Sequence, residues 1–75
     1  MGRIPIYERL ARLAAPLKPE QDPFWVSYPD ETKGTPAQGW YWVPEGLTGP
    51  SFLGASGTAA EINLLTLRGA LQRTP

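Results

Sequence analysis

The chain has 75 residues, and its seven basic and seven acidic side chains cancel to a net charge of zero, with no His and no Cys. Those counts exclude a disulfide framework and a His/Cys metal staple, and they weaken a nucleic-acid role, since phosphate backbones usually call for a concentrated positive field. What is left is one small domain with three Trp, three Tyr and two Phe, in a chain short enough to bury only about 60% of its unfolded surface.

The opening stretch, "MGRIPIYERLARLAAPLKPE", has no leader-like apolar run and carries Glu8 in its middle. No segment approaches the ~20 apolar residues of a membrane span, so the expected setting is cytoplasmic, with no membrane partner. Pro5 fits the first turn of a helix, where its missing N–H is not needed. Ile6, Leu10, Leu13 and Leu17 then recur at helical spacing, and Glu8 to Arg12 is a favourable i,i+4 pair. Pro16 disfavours helical backbone at the residue before it. The spacing predicts a helix over 5–15.

Pro16, Pro19 and Pro23 fall within the next eight positions, which predicts an extended connector over 16–23. A β-hairpin or meander is expected over 24–53. Its first strand is "FWVSY", residues 24–28, with Phe24, Val26 and Tyr28 on one face and Trp25 and Ser27 on the other. A long loop follows over 29–39, carrying Asp30, Glu31 and Lys33, with a turn expected near Lys33 and Gly34. "WYWV" is the second strand, ended by Pro44, and "SFL" a short third one. The closing helix is predicted over 58–72, with Thr58 and Glu61 in capping-box spacing. Ala60, Leu64, Leu67 and Leu71 form one apolar stripe on it. Ile62, Leu65 and Gly69 form a second, nearly opposite.

Both the "WYWV" strand and this helix are therefore apolar on two sides. For the helix, the expected answer is three layers, with the sheet on one side of it and the first helix on the other. For the sheet, two registers are open. If Trp25 aligns with Trp40 and Trp42 on the outside, the outer face is a three-tryptophan patch. If the Trp pair points inward, Trp25 and Tyr41 are the exposed aromatics, the Tyr41 hydroxyl in water. Either way a bulky aromatic should face solvent or a partner, and contiguous patches of this kind mark contact sites.

Little here suggests chemistry. Without His or Cys, the usual bases, nucleophiles and metal ligands are missing. Asp30 and Glu31 are adjacent in a loop, and with Asp22 they lack the spacing of a calcium loop. "GASGT", residues 54–58, precedes a helix but matches neither a P-loop nor a dinucleotide fingerprint. No enzyme activity, cofactor or metal site is expected.

The order of strand, strand, "GPSFLG" turn and a helix beginning "GTAAEI" resembles the AP2-type and integrase arm-binding DNA domains over roughly residues 24–72. That resemblance implies a three-stranded sheet with a helix packed behind it. The family's sheet carries Arg and Lys, whereas these strands contain neither. The "W-Y-W…G…GP" pattern also looks like small accessory proteins of bacteriophages and mobile elements. This implies stoichiometric inhibition of a host protein complex, such as a defence system or an RNA polymerase.

The expected fold is thus a small α+β domain over 1–75: helix, two- or three-stranded antiparallel sheet, and a C-terminal helix packed on it. The expected function is a non-enzymatic protein-binding module, a phage-type inhibitor acting in the host cytoplasm. Its partner-binding residues would be Trp25, Trp40, Tyr41, Trp42, Asp30, Glu31 and Lys33. One alternative is a DNA-binding accessory protein using Arg3, Arg9, Arg12 and Lys33 on phosphates. The other is a structural homo-oligomer that buries the second helical stripe against a copy of itself.

Overall fold

A computed structural model describes residues 4–72. The chain runs α1 (Ile6–Ala14), β1 (Gln21–Val26), β2 (Gly39–Val43), β3 (Ser51–Gly54) and α2 (Gly57–Gln72). The strands form one antiparallel sheet in the order β1-β2-β3, with α2 packed on it, so the domain is α+β. Among the described residues, no helix is long and apolar enough to cross a membrane. Arg3 lies outside the described residues, as does the side chain of Leu71.

α1 starts after Pro5 and ends at Ala14, but Ala15 keeps helical backbone (φ −52°, ψ −44°) ahead of Pro16, so the proline tightens the helix rather than ending it outright. A single 3₁₀ turn, Ala15–Leu17, follows, and Lys18 in the left-handed region (φ 52°) turns the chain towards the sheet. β1 begins three residues earlier than its composition predicts, because Pro23 is tolerated within it. β1 is an edge strand, and its pairing with β2 is irregular between Gln21 and Phe24, the setting in which a missing ladder N–H costs least. Tyr28, predicted on the strand, lies beyond its end.

Both helices pack on the same face of the sheet: α1 against β1 and α2, and α2 against β3. The expected three-layer arrangement is therefore incorrect. The domain has two layers and is correspondingly flat, 38 × 37 × 17 Å. The core between the layers is Leu10, Ala14 and Leu17 from the first helical segment, Trp40, Trp42 and Leu53 from the sheet, and Ala60 and Leu64 from α2. Side-by-side helices leave the second stripe of α2 uncovered, with Ile62 and Leu65 exposed.

The stretch 54–58 is explained by packing. A Cβ on Gly54 would lie 2.7 Å from the Ala59 Cβ, and one on Gly57 would lie 2.9 Å from the end of the Ile6 side chain. These glycines let α2 sit tightly on β3 and beside α1. The helix cap also differs from expectation. Ser56 Oγ accepts the Ala59 N–H at 3.2 Å, which makes Ser56 the capping side chain ahead of the predicted box. The Glu61 carboxylate is free for another task and accepts Arg9 Nη2 through both oxygens, at 2.8 and 2.9 Å. That bond ties the two helices together. The predicted Glu8–Arg12 pair is present at 3.4 Å.

Candidate functional site

The register settles which aromatics are hidden. Trp25 stands opposite Trp40, and Phe24 opposite Tyr41. Directly opposed residues share a face, so Trp25, Trp40 and Trp42 lie together on the helix side. The Trp25 and Trp40 rings meet edge to face with centroids 5.6 Å apart. Tyr7 of α1 approaches Trp40 in the same manner, at 5.0 Å. Trp40 and Trp42 are buried, and Trp25 is half-buried against the core. Neither the outward three-tryptophan patch nor an outward Trp25 occurs.

Tyr41 corrects the second expectation. It sits on the far face yet is only 1% exposed. Phe24 stacks beside it at 6.3 Å and Phe52 meets it edge to face at 5.3 Å. Its hydroxyl is dry as well: it donates to the Ala37 carbonyl at 2.8 Å and accepts the Ala37 N–H at 3.1 Å. The loop 29–39 is thereby pinned over the far face by a single phenol. Trp40, Tyr41 and Trp42 are consequently structural residues of the protomer, not exposed anchors, because two helices cover one face and a loop covers the other.

The loop is built rather than loose. Asp30 and Thr35 form a β-bridge, with Asp30 N–H donating to the Thr35 carbonyl at 2.7 Å and Thr35 N–H donating back at 3.1 Å. Between them Glu31–Lys33 makes one 3₁₀ turn, closed by Gly34 at φ +79°, a conformation that glycine adopts without strain. This is the turn expected near Lys33 and Gly34. Asp30 Oδ1 accepts from the Thr32 hydroxyl at 2.6 Å and the Thr32 N–H at 3.0 Å. Those bonds, with the Lys33 charge nearby, hold the Asp30 carboxyl below its ordinary range.

Where the loop leaves β1, a cleft of about 500 Å³ opens on the far face, between Phe24 and Val26 on one wall and Asp30, Lys33 and Pro50 on the other. Tyr28, 87% exposed, stands at its mouth beside Pro29. Trp25 also reaches its lining. Of the seven predicted partner-binding residues, the structure thus brings Trp25, Asp30 and Lys33 to one cleft, with the exposed Glu31 next to them. It removes Trp40, Tyr41 and Trp42 to the interior. Six cleft residues fall outside the predicted set: Phe24, Val26, Tyr28, Pro29, Thr35 and Pro50. Tyr28 reads as a strand residue in the sequence, and Pro50 carries no sequence signal, because only the folded turn before β3 returns it to the loop. The walls mix apolar and aromatic side chains with polar ones, with one carboxylate and one ammonium at the rim. Such a site can bind and orient a chain.

A second groove, of about 560 Å³, lies where the C-terminal half of α2 overhangs the end of β3 above Trp42 and Pro44. It follows from lengths. Sixteen helical residues span roughly 24 Å while four strand residues span roughly 13 Å. Trp42 is the one predicted site residue that lines it, and Glu45 is its one charged group.

The cations of the DNA-binding alternative do not converge. Arg9 and Arg12 are paired with Glu61 and Glu8 on the helix layer, while Lys33 lines the cleft on the opposite face. Among the described residues, no three His, Cys, Asp or Glu side chains are grouped to hold a metal ion. No protein-family model, curated protein or solved structure matches this chain.

Proposed function

We propose that the chain is a non-enzymatic protein-binding module that seats a short segment of its partner in the far-face cleft. The observation that carries this reading is Tyr28, a large aromatic left almost fully in water at the mouth of a preformed cleft with mixed apolar and polar walls. A small domain that hides Tyr41 down to its hydroxyl while leaving Tyr28 bare has an unused ring where binding energy is usually concentrated. The bridge, the 3₁₀ turn and the Asp30 cap fix the loop beforehand, so docking loses little loop entropy. Asp30, Glu31 and Lys33 supply polar contacts at the rim, and Phe24 and Val26 the apolar wall. Stoichiometric inhibition of a host protein complex is the form this function takes in our proposal, on the resemblance to phage accessory proteins.

Selection of random displayed peptides on the immobilised chain tests the reading. Enriched peptides should bind the wild type, weaken by at least about tenfold on Tyr28→Ala, as loss of an interface anchor does, and be unaffected by Leu65→Glu on the opposite layer. Tyr28→Ala should leave the far-UV circular dichroism unchanged. Peptides that bind Tyr28→Ala as well as they bind the wild type would overturn it.

A further inference from the structure

The outward face of α2 carries an apolar line that the protomer leaves bare. Ile62 and Leu65 are 56% and 48% exposed, and Gly69 continues the same face at spacings of three and four residues. Gly69 is unexplained within the protomer. A Cβ there would meet nothing within 4 Å, unlike those on Gly54 and Gly57, yet glycine is the weakest helix former short of proline and here opens the last turn of α2. A notch of this kind suits the close approach of a second helix.

We propose that this face is the seam of a two-fold dimer in which α2 packs antiparallel on α2 of a second copy. A two-fold axis sets residue i against j and j against i. Ile62 therefore seats over the partner's Gly69, the partner's Ile62 over Gly69, and Leu65 lies beside its own copy near the axis. A full-sized apolar side chain meets the smallest member of the line at both ends.

Charge selects the same pairing. Glu61 and Arg68 each precede a member of the line and sit on one flank of it. An antiparallel register brings Arg68 beside the partner's Glu61, and the reciprocal contact follows by symmetry. Among the described residues Arg68 has no ion pair within the protomer. Glu61 already holds Arg9, but a carboxylate has room for a second cation. A parallel pairing would instead set Glu61 against the neutral Thr66, since flanking positions then meet five residues apart. Zero net charge adds no long-range repulsion between copies. The seam is one helix face, short of the roughly 800 Å² per partner of a standard interface, so the dimer is weak and forms at high concentration. It lies on the layer opposite the cleft and does not depend on the function proposed for that site.

Sedimentation equilibrium from low micromolar to millimolar protein is the measurement. The mass should rise from the 8.2 kDa of one chain towards twice that value, and Leu65→Glu should hold it at the monomer with unchanged circular dichroism. Arg68→Glu and Glu61→Arg should each weaken self-association by at least about tenfold, because each sets like charges across the seam. Mixed together, those two variants should form a heterodimer, since opposite charges then face at both contacts. A chain that stays monomeric to millimolar concentration overturns the proposal. So does a dimer indifferent to Leu65→Glu, or a pair of charge variants that fails to recover association on mixing.

Discussion

The two faces of the sheet solve the same problem by different means. On one, Trp25, Trp40, Trp42 and Leu53 lie under two helices whose own apolar residues interlock with them. On the other, Tyr41 lies under two flanking rings and a loop, and the loop is held by the phenol it covers. The first face is closed by apolar area. The second combines apolar area with a polar latch, and it leaves a cleft where the loop lifts away from β1. A domain of this size has no third element with which to cover a sheet, so a pinned loop stands in for one. Where the pin ends, a binding surface begins.

Tyr41→Ala should be the most damaging single change to either face, and it asks whether the far face is core or merely a cover. Truncating a buried aromatic costs about 3–5 kcal/mol, and this one also abandons both hydrogen bonds to Ala37. Stability of a small domain is itself only about 5 kcal/mol or somewhat more, so the variant should be largely unfolded at 25 °C by circular dichroism. Leu64→Ala on the helix side, at about 2–5 kcal/mol, is the comparator. If Tyr41→Ala unfolds in urea no more readily than Leu64→Ala, the far face is a secondary feature and the comparison fails.

Tyr41→Phe separates the ring from the latch. It keeps the packing against Phe24 and Phe52 and removes the hydroxyl, leaving the Ala37 N–H and carbonyl without that partner. A cost of about 1–2 kcal/mol is expected, from one lost hydrogen-bonding group and its unsatisfied counterpart. The sharper readout is local. Amide exchange should accelerate through residues 30–37 while the amides of α1 and α2 keep their protection relative to global unfolding. Uniform acceleration across the chain would mean that the loop and the core open as one unit.

These contrasts show which parts of the structure could be read from composition. The elements were legible because each rests on a local signal: the apolar spacing from Ile6 to Leu17, Pro44 ending β2, the rings and branched residues of 39–43. The two apolar stripes of α2 were legible too, as was the turn at Gly34. The layering was not, because nothing along the chain states whether α1 lies over α2 or beside it; that is decided by glycines 54 and 57, which admit α2 to the sheet and Ile6 to its flank. The fate of Tyr41 was hidden for a related reason. Its partner, Ala37, has a side chain with no polar atom, and the bonds run to its backbone. Pro23 misled in the other direction, since a proline argues against a strand unless the strand is known to be an edge. The predicted contact residues divided accordingly. Those on the loop stayed at the surface, while three successive aromatics of the central strand were taken into the interior.

The smallest effect expected is a titration confined to the loop side. Asp30 caps the 3₁₀ turn with its carboxylate, and the Thr32 hydroxyl, the Thr32 N–H and the Lys33 charge all favour the ionised form. Its folded pKa is therefore lowered from the ordinary 3.8. A lowered folded value means that the contribution to loop order is complete above the unfolded pKa and is lost as pH falls through the folded one. Neutral solution should show no change at all. On acidification, the amide signals of Thr32 to Thr35 should shift with a midpoint below 3.8, while the Trp40 indole, on the helix-covered face, stays fixed through the same range. Asp30→Asn keeps an acceptor oxygen at the cap and loses the ionisation, so the turn should persist and this response should vanish. A midpoint at or above the ordinary value would mean that the carboxylate does not hold the turn, and a Trp40 indole that moves in step with the loop would mean that the two faces of the sheet are not separately closed.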